Sequence, residues 1–392
     1  MRLVFIRTKT DSTVFVRENP LTAKLDLRSL DEMKISPKAG SSSKNIILGL
    51  QRCRLLSAGE EWKFWNGALQ EVFLPGQLPV KLFPGNGNLT SEALAKYIAA
   101  AGQPDIIWVE GPDHPPYLKQ IFELCPKSFK LVYSKDWRPH RIQQLEQYDL
   151  CLVDEEWEVK VVKKVHPQVY CGIWDKLIDY EDAHYPLQLK KIYDICYVAY
   201  LRERKNHRLL LQAMAKLKDR ALQCVCVGDD RKGYRVELEK MARELGLSVH
   251  FTGEVPKEEV NHYINQSKIG VMCAVLDAVP RAILEYLAAD VPVLVNAELW
   301  AGARYVGPGA GLVKPPEEFH LGLANLLDHY QDYTPRAYYL QHFSFEKVMA
   351  KFLQILQQAG LELRRPHPQG LTASRTAPVS ASWQQESFLA VN

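Results

Sequence analysis

The second half of the chain alternates short apolar runs with stripes of apolar residues at helical spacing. The run YDICYVAYL, which starts at Tyr193, predicts a strand, and the charged turn RERKNHR leads from it to an amphipathic helix (Leu209, Leu210, Ala213, Met214 and Leu217). The segments QCVCVGDD, SVHFTG, KIGVMCAV and VPVLVN continue the alternation as further strands. Strands joined by helices require right-handed crossovers and a parallel sheet. Residues from about 190 to 335 therefore predict one doubly wound α/β domain.

The first half has a weaker pattern of the same kind. The predicted strands are MRLVFIR, KNIILGL, LPVKLF, PDIIWVEG, FKLVYS and YDLCLVD, and the predicted helices are SEALAKYIAAAG and PYLKQIFELC. Pro186 interrupts the pattern within residues 184–191, where we place the join between two domains.

We therefore predict an α/β fold of two doubly wound, Rossmann-like domains that face each other across a cleft. The predicted domains are residues 1–188 and 189–340, followed by a helix at 341–360 that packs back on the first domain. The remainder, 364–392, is rich in Ser, Pro, Gln and Ala and is predicted to be disordered. Open α/β sheets bind ligands at the carboxyl ends of their strands, so the cleft is the predicted functional site.

Composition excludes several classes of function. With 49 Lys+Arg against 46 Asp+Glu, the net charge of +3 in 392 residues is too small to steer the molecule onto nucleic acid. No apolar stretch approaches the ~20 residues of a membrane-spanning helix. The eight cysteines lack metal-ligand spacing and are typical of buried thiols in a reducing compartment. We expect a cytoplasmic protein without a metal site, and peripheral attachment to the inner membrane face stays open.

Two carboxylates flank a predicted helix start. Asp277 follows a strand, Pro280 and Arg281 open the next helix, and Glu285 lies inside it. Both carboxylates can face the cleft, while the helix N-terminus between them offers free N–H groups to a phosphate. Carboxylates also bind sugar and ribose hydroxyls through charge-assisted hydrogen bonds. Taken alone, the same residues also fit an ordinary loop Asp and an exposed helical Glu.

These carboxylates belong to a longer pattern. Asp277-x7-Glu285 followed by YLAADVPVLVN resembles the Glu-x7-Glu signature of the retaining, metal-independent group 1 glycosyltransferases, glycosyltransferase family 4. Three more segments are similar to motifs of that family in the same order: YVAYLRERKNHRLLLQAMAKL, VHFTGEVPKEEVNHYINQSKIGV and GAGLVKPPEEFHLGLANLL. The resemblance covers Tyr148 to Phe345, and the N-terminal half resembles the family in architecture alone.

The resemblance implies a GT-B fold and a glycosyltransferase. Its donor would be a nucleotide-diphosphate sugar bound by 189–340, and its acceptor a hydroxyl of a glycan, a lipid-linked sugar or a small molecule on the side of 1–188. By this resemblance, Arg204 and Lys205 would bind the diphosphate, Asp277 would face the transferred sugar, and Glu285 would bind the ribose. The nucleotide base would lie against Gly253, Glu254 and Val255, and Pro280 and Arg281 would make further contacts with the donor. No metal or other cofactor is implied.

The sequence departs from the family at several places. Asp277 is one methylene shorter than the usual Glu, and Tyr200 stands where the commoner phosphate loop has an Arg. The stretch Gly302-Ala303-Arg304-Tyr305 has no acid where the family often has G-G-x-x-E.

The acceptor side is poorly marked. We favour His114 and Asp136 as its polar groups, since both follow predicted strands. Four tryptophans are candidates either for stacking an acceptor sugar or for ordinary core packing (Trp108, Trp137, Trp157 and Trp174).

Two alternatives stay open. One is a nucleotide-sugar epimerase or hydrolase on the same fold, which would act without an acceptor. The other is a non-catalytic nucleotide-sugar-binding relative, which the short Asp277 and the missing acid near Arg304 favour.

Overall fold

Two large sheets flanked by helices, with a separate pair of short strands, make up the described part of the structure. The computed structural model describes residues 1–8, 15–17, 25–27, 42–65, 68–73, 78–85, 90–111, 116–134, 144–230, 233–277 and 280–362. Among these residues, no helix is long and apolar enough to cross a membrane.

The first sheet is formed by residues before 174. The strands in this part of the chain are β1 (Arg2–Arg7), β2 (Phe15–Arg17), β3 (Leu25–Leu27), β4 (Ala58–Trp65), β5 (Gln70–Val72), β6 (Val80–Pro84), β7 (Ile106–Glu110), β8 (Phe129–Tyr133), β9 (Leu150–Val153) and β10 (Tyr170–Ile173). The sheet order is β10-β9-β8-β7-β1-β4-β6-β5, and β2 pairs with β3 separately. Its helices are α1 (Ser42–Arg52), α2 (Glu92–Ala101), α3 (Pro116–Leu124) and α4 (Glu156–Val165).

The second sheet follows with β11 (Tyr193–Val198), β12 (Gln223–Val227), β13 (Ser248–Gly253), β14 (Ser267–Met272), β15 (Val293–Asn296) and β16 (Gly311–Lys314). The order is β13-β12-β11-β14-β15-β16, and every pair in it is parallel. Its helices are α5 (His207–Ala215), α6 (Tyr234–Glu244), α7 (Lys257–Asn265), α8 (Arg281–Ala288), α9 (Phe319–His329), α10 (Pro335–Phe343) and α11 (Phe345–Gln358). In the first sheet β5 pairs antiparallel with β6, while the other pairs are parallel. The predicted α/β fold class is confirmed.

The strand predicted for KNIILGL is wrong, because these residues lie in α1. Ile46, Ile47 and Leu50 are buried at the one- and four-residue spacings of a helix face. A continuous apolar run does not by itself distinguish a buried strand from a buried helix. The strand that pairs with β1 in this part of the chain is β4, with the sequence AGEEWKFW. Its two glutamates interrupt the apolar run by which a buried strand is recognised.

Glu61 of β4 is 1% exposed and is held by two cations. Its carboxylate lies 2.6 Å from Lys44 Nζ and 3.4 Å from Lys63 Nζ. Burial would raise the pKa of this carboxyl, but Lys63 and Lys44 outweigh it and hold the pKa below its usual value. The paired charges explain how a charged strand can lie inside the sheet.

Helix α11 returns to the first sheet after the chain has completed the second. Phe352 stacks on Trp108 with ring centroids 5.4 Å apart. Ile355 lies against Gly172 of β10 and Met349 against Gly49 of α1, so closely that a methyl group at either glycine would clash. Residues 363–392, which include the predicted disordered tail, lie outside the described residues.

A polar network joins the loop after β15 to the first sheet. Gly302 N donates to Glu155 Oε1 over 2.7 Å, and Arg304 donates to the carbonyls of Asp154 (2.9 Å) and Trp174 (2.8 Å). Arg304 also forms an ion pair with Asp175. Since Asp154 and Glu155 follow β9, the carboxyl ends of strands in both sheets meet here.

The carboxylate of Glu158 lies behind this contact. Its Oε2 accepts hydrogen bonds from the backbone N of Asp154 and of Glu155, and the residue is 2% exposed. Burial, with the negative charge of Asp154 as a second cause, raises the pKa of Glu158 to about 7.

We expect Glu158 to make the protein less stable as the pH rises. The pKa of Glu158 is raised from 4.5 to about 7 by folding, so the folded state binds its proton more tightly than the unfolded state does. This adds to the free energy of unfolding in full below pH 4.5, and the added stability is lost as the pH rises through 7. At ~1.4 kcal/mol per pKa unit, the loss approaches roughly 3 kcal/mol. Urea unfolding at several pH values measures it. Glu158→Gln keeps an acceptor for both N–H groups and should flatten the pH dependence. Glu156→Gln changes an exposed carboxylate of α4 and should leave the pH dependence as it is in the wild type. Equal pH slopes in the two variants would show that Glu158 is not the group responsible.

Tyr286 of α8 fixes the end of β11 against β14. Its hydroxyl accepts from Val198 N (2.7 Å) and donates to Cys196 O (3.1 Å). Its ring covers Gly270, where a Cβ would lie 2.5 Å from Tyr286 Cγ. Only a residue without a side chain lets the ring reach both backbone groups.

We expect Gly270→Ala to destabilise the protein by about 1–3 kcal/mol, because the extra methyl overpacks the ring of Tyr286. The midpoint of urea unfolding measures the cost. In a Tyr286→Leu background the same substitution should cost less, because the ring is gone. An equal cost in both backgrounds would show that the ring is not the cause.

Candidate active site

The turn after β11 is the first part of the candidate site. A short 3-10 turn spans Glu203–Lys205 and is followed by Asn206 with φ +53°. Tyr197 donates its hydroxyl proton to Lys205 O over 2.6 Å, which fixes the turn to the end of the strand. Because β11 pairs directly with β14, the turn lies beside the loop that follows β14.

The predicted cations and the predicted acid meet here. Lys205 Nζ forms an ion pair with Asp277 Oδ2, and Arg204 Nη1 lies 3.9 Å from Asp277 Oδ1. Arg204 Nη1 also donates to Leu276 O over 3.1 Å. The Lys205 side chain is 10% exposed and that of Arg204 is 45% exposed. Two cations thus share one carboxylate, which leaves positive charge at the edge of the sheet.

The opening of α8 supplies the second part. Pro280 is the N-cap residue, with φ −65°, and the exposed Arg281 begins the helix. Glu285 lies one turn further on, with Oε1 3.7 Å from Nε2 of His184, a residue 3% exposed. His184 could not be found from the sequence, since a single histidine in the segment that joins the domains belongs to no motif.

The stretch predicted to contact the base lies at the end of β13. Gly253 has φ +80°, and its carbonyl accepts from Gly228 N over 3.1 Å. Val255 is half-buried and packs against the core, whereas Glu254 is exposed. These residues share the carboxyl edge of the sheet with Lys205, but β12 separates β13 from β11.

Arg304 lies in the stretch Gly302–Tyr305, which has no acid where the family often has G-G-x-x-E. It binds the other sheet through Asp175, Asp154 and Trp174. The stretch Gly302–Tyr305 therefore supplies a cation and backbone groups, and the carboxylate of the loop after β15 is the exposed Glu298, which precedes this stretch.

Asp290 occupies the place of the glycine in the family pattern E-A-x-A-x-G-x-P-V. It adopts a left-handed backbone, with φ +61°, and its carboxylate accepts from Arg336 N over 2.9 Å. Aspartate tolerates this conformation better than most residues, so the chain keeps the turn without the glycine.

His207 is a buried histidine beside Lys205 that the sequence did not single out. Its ring lies 4.5 Å from that of Tyr197, and neither ring nitrogen has a hydrogen-bond partner among the described residues. Burial, with the charge of Lys205 as a second cause, lowers its pKa to about 3. It is therefore neutral near pH 7 and packs behind the basic turn.

The acceptor-side candidates are only partly visible. His114, Asp136 and Trp137 lie outside the described residues. Trp108 and Trp174 are fully buried and belong to the core, while Trp157 is half-buried and contacts Trp300. The described part of the chain holds no group of three or more His, Cys, Asp or Glu residues that could bind a metal.

The residues around this site match a known family. The family described as "Glycosyl transferases group 1" matches residues 181–337. A curated relative from Xenopus laevis, "GDP-Man:Man(3)GlcNAc(2)-PP-Dol alpha-1,2-mannosyltransferase", is 29% identical over 145 residues. This match covers 34% of the chain and only 28% of the relative.

Solved structures share the fold. The HepE protein of Anabaena, crystallised with UDP, matches with a TM-score of 0.64 and 13% identity, over 91% of this chain and 100% of that one. Sucrose-phosphate synthase from Thermosynechococcus elongatus matches with a TM-score of 0.67 and 14% identity, over 91% of this chain and 99% of that one. Residues 181–337 are therefore similar to the group 1 glycosyltransferases, and the chain has the GT-B fold of two sheets in which parallel pairs predominate.

Proposed function

We propose that this protein transfers a glycosyl group from a nucleotide-diphosphate sugar to an acceptor hydroxyl, with retention at the anomeric carbon and without a metal ion. The observation that carries the proposal is the meeting of Arg204 and Lys205 with Asp277 at the carboxyl ends of β11 and β14. A diphosphate at this edge would meet two cations, and the sugar attached to it would meet a carboxylate.

The chemistry that these residues would perform is charge stabilisation. Breaking the bond between the anomeric carbon and the diphosphate oxygen leaves negative charge on the diphosphate and positive charge on the sugar ring. Arg204 and Lys205 would stabilise the negative charge on the diphosphate. Asp277 faces both cations and would lie beside the positive charge on the sugar ring. A preorganised donor set of this kind replaces the charge that a divalent cation would otherwise supply.

Retention follows if the acceptor attacks from the face that the leaving group vacates. The acceptor oxygen then bonds to the anomeric carbon, and its proton passes to an oxygen of the departing diphosphate. This route needs no strong protein base. His207 fits that route, because burial holds its pKa near 3 and leaves it a poor base.

Glu285 is the proposed ligand of the ribose hydroxyls. It follows the N-terminus of α8, where free N–H groups favour a phosphate, and its side chain is 14% exposed. The comparisons differ in nucleotide: the Xenopus relative is named for GDP-Man and the Anabaena structure contains UDP. The donor is therefore best sought with a panel of nucleotide sugars, in which binding raises the melting temperature.

A second candidate is a protein that binds a nucleotide sugar without transferring it. Two contacts favour it: Lys205 is already paired with Asp277, and Arg304 binds the first sheet instead of the donor. A donor that raises the melting temperature, without turnover on any sugar, lipid-linked or small-molecule acceptor, would support this alternative.

We expect Lys205→Ala to lower kcat/KM by at least ~100-fold, because removing one preorganised charge donor typically costs 10²–10³ in rate. Glu285→Ala should chiefly weaken donor binding. Steady-state transfer assays measure both, with circular dichroism to verify folding. Lys218→Ala, at an exposed lysine in the turn after α5, is the matched control and should retain wild-type rates. Wild-type transfer in both site variants would overturn the assignment of the site.

We also expect transfer to survive EDTA and to keep the anomeric configuration of the donor. The basic pair, rather than a cation, neutralises the diphosphate in this proposal. Proton NMR of the first product formed reads the configuration directly. Loss of activity in EDTA with recovery on Mg²⁺ addition would contradict metal independence, and an inverted product would contradict retention.

A further inference from the structure

Trp300 is a large aromatic side chain left 45% exposed at the edge where the two sheets meet. It lies in the loop after β15, and its backbone N donates to Val275 O over 2.8 Å. An indole ring has more apolar area than most side chains, and covering it would gain ~25 cal/mol per Å² that folding leaves unrealised. The position of Trp300 is therefore one where a ligand would gain by covering the ring.

Trp157 of α4 holds this ring from the other sheet. The two ring centroids lie 5.0 Å apart at an interplanar angle of 73°, which is an edge-to-face contact. Trp157 Nε1 donates to Trp300 O over 3.1 Å. Because both the ring contact and the backbone bond are made, the pair is fixed in orientation rather than loosely exposed.

The aromatic pair adjoins the proposed reaction centre. The same loop that Trp300 contacts at Val275 continues through Leu276, which is 52% exposed, to Asp277. Arg204 holds this loop from the other side through Leu276 O. The aromatic surface thus begins next to the carboxylate proposed to face the transferred sugar.

Two glutamates, Glu155 and Glu156, directly precede Trp157 in the chain. Glu155 accepts from Gly302 N over 2.7 Å, and Glu156 next to it is exposed. A pyranose ring has a flat face of C–H groups and a rim of hydroxyls. The face suits an exposed indole, and the rim suits carboxylate acceptors.

We propose that Trp300, supported by Trp157, forms a stacking surface for the sugar ring of the acceptor. The inference rests on the proposed function and narrows it, since the acceptor would be a carbohydrate rather than a simple alcohol. Trp300 would contact the acceptor, and Trp157 would be a positioning residue that orients its ring.

Kinetics test the role of each ring. We expect Trp300→Ala to raise the acceptor KM by about tenfold, Trp300→Phe by less, and Trp157→Ala by an intermediate factor, with the donor KM unchanged in all three. Leu321→Ala, at a residue 54% exposed on α9, is the matched control and should leave both constants unchanged. An unchanged acceptor KM in Trp300→Ala would overturn the proposal, as would an equal rise in the donor KM.

A binding experiment separates this proposal from that of transfer. Saturation-transfer difference NMR with mannobiose, cellobiose and chitobiose, and with glycerol as the non-ring control, requires no turnover. Contact of ring protons with wild-type protein, lost in Trp300→Ala but kept in Leu321→Ala, would support the stacking surface even if no donor gave transfer. Transfer to glycerol with no sugar contact would overturn the stacking surface and leave the transferase intact. Absence of both sugar contact and transfer would overturn both proposals.

Discussion

The ion pair between Lys205 and Asp277 joins two loops that are 72 residues apart in the chain. It exists because β11 and β14 are neighbours in a parallel sheet, so that the turns at their carboxyl ends lie side by side. A partly buried ion pair gains little net stability, since desolvation offsets the attraction. In the proposed function, an incoming diphosphate would therefore compete for Lys205 at modest cost.

The carboxyl ends of the second sheet also contact the first sheet. The loop after β15, which carries Arg304, contacts Asp154 and Asp175 and so connects the two sheets. The stretch Gly302–Tyr305, which lacks the acid of the family pattern, contributes to this contact through Gly302 and Arg304. The buried Glu158 behind the contact couples the junction to pH, because its carboxyl takes up a proton near pH 7.

Much of the second domain could be predicted from the sequence, because strands buried on both faces appear as apolar runs and their helices as stripes. The first domain could be predicted only in part. The helix α1 has the composition of a strand, and β4 carries Glu60 and Glu61. Cations on other elements lie beside both carboxylates: Arg2 and Lys81 beside Glu60, and Lys44 of α1 beside Glu61. Asp290 is another feature that could not be predicted from the sequence. Its backbone is left-handed, but an aspartate does not by itself indicate that conformation.

The sequence by itself determined the alternation of strands and helices, the carboxylates Asp277 and Glu285, and the basic turn with Arg204 and Lys205, because each depends on local spacing. Only the tertiary structure decided which side chains meet across long separations in the chain. The contact of Glu285 with His184 and the pairing of Trp157 with Trp300 depend on strand order and on the packing of one sheet against the other. No local pattern encodes such contacts, because the residues that form them lie on elements brought together only by folding.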